Sequence, residues 1–246
     1  MTIRNRLNDI LLKSRYRLDR ISLLEQVLIQ KYGREEPFTF LQIGANDGIS
    51  FDNLFQLVTS RNCRGVVVEP VPFYFKQLES LYSAFETIVP VNLAIHAAEK
   101  NNHIYCVDPA QTASLPKWVS GVASFNRGHL QQFDIPDKAI LEVEIECIQL
   151  MQLIEQYGLD TLDLIQIDTE GYDAEVIAMI DFDRIRPSII KFEHAHLTDK
   201  EIQSTHKILA LGFSTSARLS VFASLVKSSL ILSFKTSSLS NIILFS

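Results

Sequence analysis

Phe40-Leu41-Gln42-Ile43-Gly44-Ala45-Asn46-Asp47-Gly48 is an apolar run that breaks into a turn bounded by two glycines, and it decides how the rest of the chain is read. A strand covered on both faces has this nearly continuous apolar character. Glycines without Cβ then let a ligand lie against the backbone at the carboxyl edge of a sheet. The spacing is G-x-x-x-G. A dinucleotide fingerprint asks for glycine at the first, third and sixth positions, but Asn46 and Ile49 occupy the latter two, which disfavours close approach of a pyrophosphate. By itself the turn is equally a structural device.

Outward from this stretch, between Phe38 and Ala210, short apolar runs alternate with helical periods. Strands are expected at Thr39 to Ile43, Gly65 to Glu69, Thr87 to Asn92, Leu162 to Asp168 and Ser188 to Glu193. Amphipathic stretches beginning near Phe51, Val71, Ile148, Tyr172 and Thr198 supply the crossovers, which predicts a doubly wound α/β sheet. His103 to Val107 and Ile140 to Cys147 alternate like antiparallel strands. Asp108 to Asp137 between them has the Gly, Pro, Ser and Asn content of a long functional loop, and it is expected to act as lid and acceptor reader.

The 246 residues are 47% apolar, enough for one substantial domain. A net charge of -6 offers no basic field for phosphates, so nucleic acid is excluded as a partner in favour of a small, neutral or mildly charged one. Cys63, Cys106 and Cys147 are odd in number and widely separated, which suggests neither a disulfide framework nor a zinc cluster and fits a reducing cytoplasm. No apolar run reaches the roughly 18 to 20 residues needed to span a bilayer, and the first 30 residues lack the unbroken core of a signal peptide.

Both ends depart from the α/β pattern. From Leu7 to Leu28 apolar residues recur at three and four, predicting an N-terminal helical extension over 1–36, with a basic face built from Arg4, Arg6, Lys13, Arg15, Arg17 and Arg20. From Ile202 to Ser246 there is no Asp or Glu, although an even spread of the 29 acids would place roughly five there. This end also loses the turn signals of a closing hairpin. Residues 212–246 are therefore read as an atypical tail, the divergent or frame-shifted end of the domain at 37–211.

Three further groups carry chemistry. Glu69 ends the run Val66-Val67-Val68-Glu69-Pro70, where a carboxylate can accept hydrogen bonds from both hydroxyls of a ribose. Leu164-Ile165-Gln166-Ile167-Asp168-Thr169-Glu170-Gly171-Tyr172-Asp173 packs three acids where a buried strand ends, and such carboxylates need hydrogen bonds, a cation or a ligand to stay ionised. Asp173 reads equally well as an acid in the first turn of the following helix. Lys191-Phe192-Glu193-His194-Ala195-His196 ends the next strand on the same edge, and an imidazole there suits a general base. Continued as a strand, it would put His194 and His196 on one face. Two histidines with Asp168 are too few to assign a metal.

Gly44-Ala45-Asn46-Asp47-Gly48, Glu69-Pro70 and Ile167-Asp168-Thr169-Glu170-Gly171-Tyr172-Asp173 together resemble the FkbM-type methyltransferases, over about Phe38 to Leu211. The resemblance implies a class I Rossmann-like fold, S-adenosyl-L-methionine as cofactor, and O-methylation of a sugar, glycan or secondary metabolite. It places Gly44, Asn46 and Gly48 against the methionine moiety and Glu69 on the ribose. Asp168, Glu170, Gly171 and Asp173 then fall on the family's D-x-E-G-x-E segment. Gln42 stands where the family has an acid, and the tail does not resemble the family's closing hairpin. The expected base is His194, then Glu170, with Asp168 positioning cofactor or acceptor. A catalytically inactive interaction module and a nucleotide-cofactor oxidoreductase are the competing readings, and the sequence leaves open a homo-oligomer.

Overall fold

The computed structural model describes residues 22–51, 53–98 and 102–212, with backbone alone at 120, 213–214, 221–226, 229–235 and 240–245. The chain divides into two compact units, Met1–Glu36 and Pro37–Ser246. Of the expected N-terminal helix, residues up to 21, with all six basic side chains, lie outside the described residues. The described part is α1 (Leu23–Tyr32), whose first turn is capped by the Ser22 hydroxyl accepting from the Glu25 amide at 3.1 Å. Leu24, Val27 and Leu28 form its buried stripe, and Gly33 at φ 85° ends it. Among the described residues, no helix is long and apolar enough to cross a membrane.

The second unit runs β1 (Thr39–Ile43), α2 (Leu54–Thr59), β2 (Arg64–Val68), α3 (Pro72–Tyr82), β3 (Ile88–Val91), β4 (Ala94–Ile95) and β5 (Asn102–Val107). Next come β6 (Ala123–Ser124), α4 (Arg127–Gln131), β7 (Ile140–Ile145), β8 (Cys147–Ile148), α5 (Leu150–Gln156) and β9 (Leu164–Ile167). After these follow α6 (Asp173–Ala178), β10 (Ile189–Phe192), α7 (Asp199–Ser214), β11 (Val221–Val226), β12 (Ser229–Lys235) and β13 (Ser240–Phe245).

Eight strands form one sheet in the order β11-β12-β13-β10-β9-β1-β2-β3, parallel from β13 to β3 and antiparallel across β11, β12 and β13. Alternate residues of the central strands, Leu41, Ile43, Val66, Val68, Ile165, Ile167, Ile190 and Phe192, share one core with Leu150, Leu153 and Ile154 of α5 and Val176 and Ile177 of α6. The intervening residues Phe40, Val67, Leu164 and Ile189 are buried too, so both faces are covered, as a Rossmann-like doubly wound sheet requires. Gln42 and Gln166 are register partners on that second face, each 1% exposed. Gln42, which stands where the family has an acid, therefore lies inside the sheet.

The tail forms a hairpin despite its missing turn signals, with Val226 opposite Ser229 and Ile231 opposite Leu244. Runs such as Leu230-Ile231-Leu232 and Ile242-Ile243-Leu244 suit a pleated strand whatever joins them. Side chains of the tail lie outside the described residues.

Between β4 and β8, which pair with each other in parallel, the chain builds a cap: an antiparallel sheet in the order β6-β5-β7. The segment from Asp108 to Asp137 is more ordered than its composition suggests. It holds two short 3-10 turns, β6 and α4, around Val119, Val122, Leu130 and Ile135, which pack with Val107, Ala139 and Ile140 into a core of their own. Apolar residues spaced a few apart among the Gly, Pro and Ser find partners across the cap, and no local period announces them.

Candidate active site

Register decides the site. Ile43 pairs with Val68 and with Ile167, and Ile167 pairs with Phe192. The residue after each of these, namely Glu69, Gly44, Asp168 and Glu193, therefore falls in one row along the carboxyl edge, where parallel sheets bind ligands. A cleft of about 440 Å³ opens over this row, lined by Gly44, Asn46, Gly48, Glu69, Asp168, Glu170, Lys191, Glu193 and His196, and by Phe51, Trp118 and Phe133 from the flanking segments.

At one wall the backbone closes tightly. Gly44 sits at φ 79°, and its amide and that of Ala45 both donate to the Val68 carbonyl at 3.0 and 2.9 Å. A Cβ on Gly44 would lie 1.7 Å from the Asp168 carbonyl oxygen, so only glycine lets β1 and β9 end side by side. Gly48, at φ 81°, meets the cleft as well, but its missing Cβ is dictated by packing: the nearest atoms would be Leu81 Cδ2 at 2.7 Å and Leu78 Cδ1 at 2.9 Å. Asn46 takes φ 50°, a conformation that asparagine tolerates.

Glu69 is 4% exposed. One carboxylate oxygen accepts from the Asn46 amide at 2.7 Å and the other from the Val71 amide at 2.8 Å. Burial dominates all the same and pushes its pKa up to about 7, against the lowering effect of those two amides. Asn92 holds the strand tip by donating to the Glu69 carbonyl at 2.8 Å and the Pro70 carbonyl at 3.0 Å.

The opposite wall is crowded with acid. Burial first, then the charges of Glu193, Glu170 and Asp173, raise Asp168 well above the usual carboxylate range, while Lys191 opposes them. Glu193 is lifted to about 7 by burial and by Glu170 and Asp173. Asp173 points the other way, into the frame. Its carboxylate accepts from the Thr169 amide at 3.1 Å, the Thr169 hydroxyl at 2.7 Å and the Glu193 amide at 3.1 Å, tying the tip of β9 to that of β10. Burial raises its pKa despite these bonds. Glu170 at φ 50° and Gly171 at φ 95° turn the chain between them, and the cap grips this turn where the buried Ser124 hydroxyl donates to the Glu170 carbonyl at 3.1 Å.

His194 does not line the cleft. Strand β10 stops at Phe192 and residues 194–197 form a turn, so two-residue alternation no longer governs where these imidazoles go. Burial first, and then nearby His194, hold the His206 imidazole on α7 below its ordinary pKa. His196 does reach the cleft, with Nε2 3.5 Å from Glu170 Oε2 and 3.6 Å from Glu193 Oε2. Opposite it stands a residue of the segment expected to act as lid and acceptor reader. Buried His129 of α4 has its Nε2 3.5 Å from the same Glu170 oxygen, close enough for electrostatic attraction but without hydrogen-bond alignment. Phe133 meets both imidazole rings edge-on. Tyr172 is also more than a motif letter: it stacks on His96 with ring centroids 5.3 Å apart and packs against Phe125. No spacing rule joins residues so far apart in the chain.

A parallel sheet with a glycine turn, a buried carboxylate and an acidic cluster on adjacent strand tips has the layout of an α/β enzyme whose ligand site lies at the carboxyl edge. Residues 42–215 match the family described as "Methyltransferase FkbM domain". The chain belongs to this family, and it is a methyltransferase. Among solved structures it is similar to precorrin-6y C5,15-methyltransferase from Geobacter metallireducens, with 12% identity over 92% of this chain and 87% of that one and a TM-score of 0.37. It is also similar to precorrin 8w decarboxylase from Methanobacterium thermoautotrophicum, with 9% identity, the same coverage and a TM-score of 0.37. No curated protein matches the chain.

Proposed function

We propose that the protein uses S-adenosyl-L-methionine to methylate a hydroxyl of a small molecule, sugar or glycan. The observation that carries this reading is the row of strand tips, with Gly44, Glu69, Asp168 and Glu193 facing one cleft. The residues present fit that cofactor. Each Glu69 oxygen accepts one amide and keeps a lone pair for a ribose hydroxyl. The acidic wall attracts a cationic sulfonium and amine, and it disfavours the phosphates of a nicotinamide dinucleotide.

S-adenosyl-L-methionine supplies a methyl group on a positively charged sulfur, already activated for attack by oxygen. The chain's own residues then have three tasks. Gly44, Asn46 and Gly48 hold the cofactor's methionine end and Glu69 its ribose. Asp168 and Glu170 orient the acceptor, and most of the rate comes from that alignment. Glu193, not His194, takes the hydroxyl proton, because its carboxylate lines the cleft. Exposed Trp118 and Phe51 at the rim offer flat apolar faces for a sugar or a hydrophobic acceptor.

Calorimetry with S-adenosylhomocysteine, followed by transfer of labelled methyl groups to hydroxyl acceptors from cell extract, tests this reading. Binding with transfer supports it. Binding without transfer to any acceptor points to an inactive module, and selective NAD binding overturns the cofactor assignment.

A further inference from the structure

His129 is 8% exposed, yet its Nε2 has no hydrogen-bond partner. Buried polar atoms are almost always paired, so such an atom calls for a ligand or another explanation. Two other potential metal ligands, from Glu170 and His196, lie beside the atom. Glu170 Oε2 lies 3.5 Å from His129 Nε2 and 3.5 Å from His196 Nε2. A charge-assisted hydrogen bond would close to about 2.8 Å. Ligands bonded at about 2.1 Å to one tetrahedral ion stand about 3.4 Å apart, and the two nitrogen-to-oxygen distances match that spacing. All three donor atoms lie within 4.8 Å of one another. The two imidazole planes are perpendicular, at 87°, with centroids 4.7 Å apart, so the rings meet without stacking.

We propose that His129, Glu170 and His196 bind a divalent transition-metal ion of the zinc class, bridging the cap and the tip of β9. Two imidazoles and a carboxylate form a donor set suited to such ions. Phe133 supplies an apolar edge against both rings, which limits water at the site. Glu170 and His196 line the cleft, so the remaining coordination position faces it. Asp168, Glu170 and Glu193 also gather within 4.8 Å, an all-oxygen set that a magnesium-class ion would prefer and that shares Glu170 with the first. The imidazoles decide for the softer ion. This site depends only on the chain's own donors and goes beyond the methyl-transfer reading.

The test uses the tag-free full chain, stripped with a chelator, then titrated with zinc sulfate by calorimetry and with cobalt(II) by visible absorption. One ion per chain and the intense bands of tetrahedral cobalt are expected. His129→Ala, His129→Gln, Glu170→Gln and His196→Ala should each weaken zinc binding by at least about 10-fold, whereas His103→Ala, at an exposed position on β5, leaves it unchanged. Thermal melting of each variant, with S-adenosylhomocysteine titration beside it, separates loss of the metal site from loss of the fold or of the cofactor pocket. Three results would overturn the proposal: no saturable zinc binding by the wild type, unchanged affinity in the ligand variants, or saturation by magnesium without zinc.

Discussion

The two walls of the cleft are built on opposite plans. Around Gly44 and Glu69 the site's polar groups are met by the protein itself: two amides on one carbonyl, and two further amides on one carboxylate. Around Glu170 and His196 the donors sit 3.5 Å apart, near enough to interact and too far to close hydrogen bonds, among carboxylates that repel. Folding satisfies the polar groups of the first wall and leaves the Glu170 and His196 side chains of the second short of hydrogen bonds to each other.

The sharpest way to break the first wall is Gly44→Ala. With φ at 79° and a Cβ driven onto the Asp168 carbonyl, it should destabilise the protein by about 4 kcal/mol or more in chemical denaturation. A mild loss would mean that the strand tips are less tightly joined than the register requires. Asp173→Ala removes the clamp that holds the second wall in shape and leaves the Thr169 and Glu193 amides and the Thr169 hydroxyl without an acceptor, for about 3 kcal/mol of stability by the same measurement. Wild-type stability would reassign it to the ligand.

Smaller effects distinguish what each wall does. Glu193→Gln should lower turnover by about 100-fold with S-adenosylhomocysteine affinity unchanged, as removal of a proton acceptor does. Equal loss of both would make it a cofactor residue. Glu69→Ala should cost about 1 to 3 kcal/mol of cofactor affinity by leaving ribose hydroxyls unpaired. Because burial lifts Glu69 to about 7, and only its ionised form accepts from both hydroxyls, affinity should rise as pH increases through about 7 and fall below it. Calorimetry across that range should find the trend in the wild type and lose it in Glu69→Gln. Smallest is Trp118→Ala at the rim, expected to raise the acceptor KM a few-fold, worth about 1 kcal/mol, with little change in kcat; a matching fall in kcat would put the ring nearer the chemistry.

Much of the fold was legible beforehand, and for a physical reason. A strand covered on both faces shows as a short apolar run, as in Val66-Val67-Val68, and a crossover helix as a three-and-four period, as in Leu150, Leu153 and Ile154. Glu69 and Asp168 could be found because each directly follows such a run. The cap was harder to read. Val119, Val122, Leu130 and Ile135 reach their partners through turns and a five-residue helix, so their segment resembles an open loop. The placement of His194 and His196 was hard to read for a similar reason: alternation predicts facing only while a strand continues, and β10 ends two residues before His194.

The sequence by itself determined a doubly wound sheet, its glycine turn and the carboxylates at its strand tips, because each follows from contacts within a few residues or from a strand's own period. Only the tertiary structure decided that His129 of the cap faces His196 and Glu170, and that His194 turns away. Those placements depend on how two separately cored layers pack, and no local pattern encodes that packing.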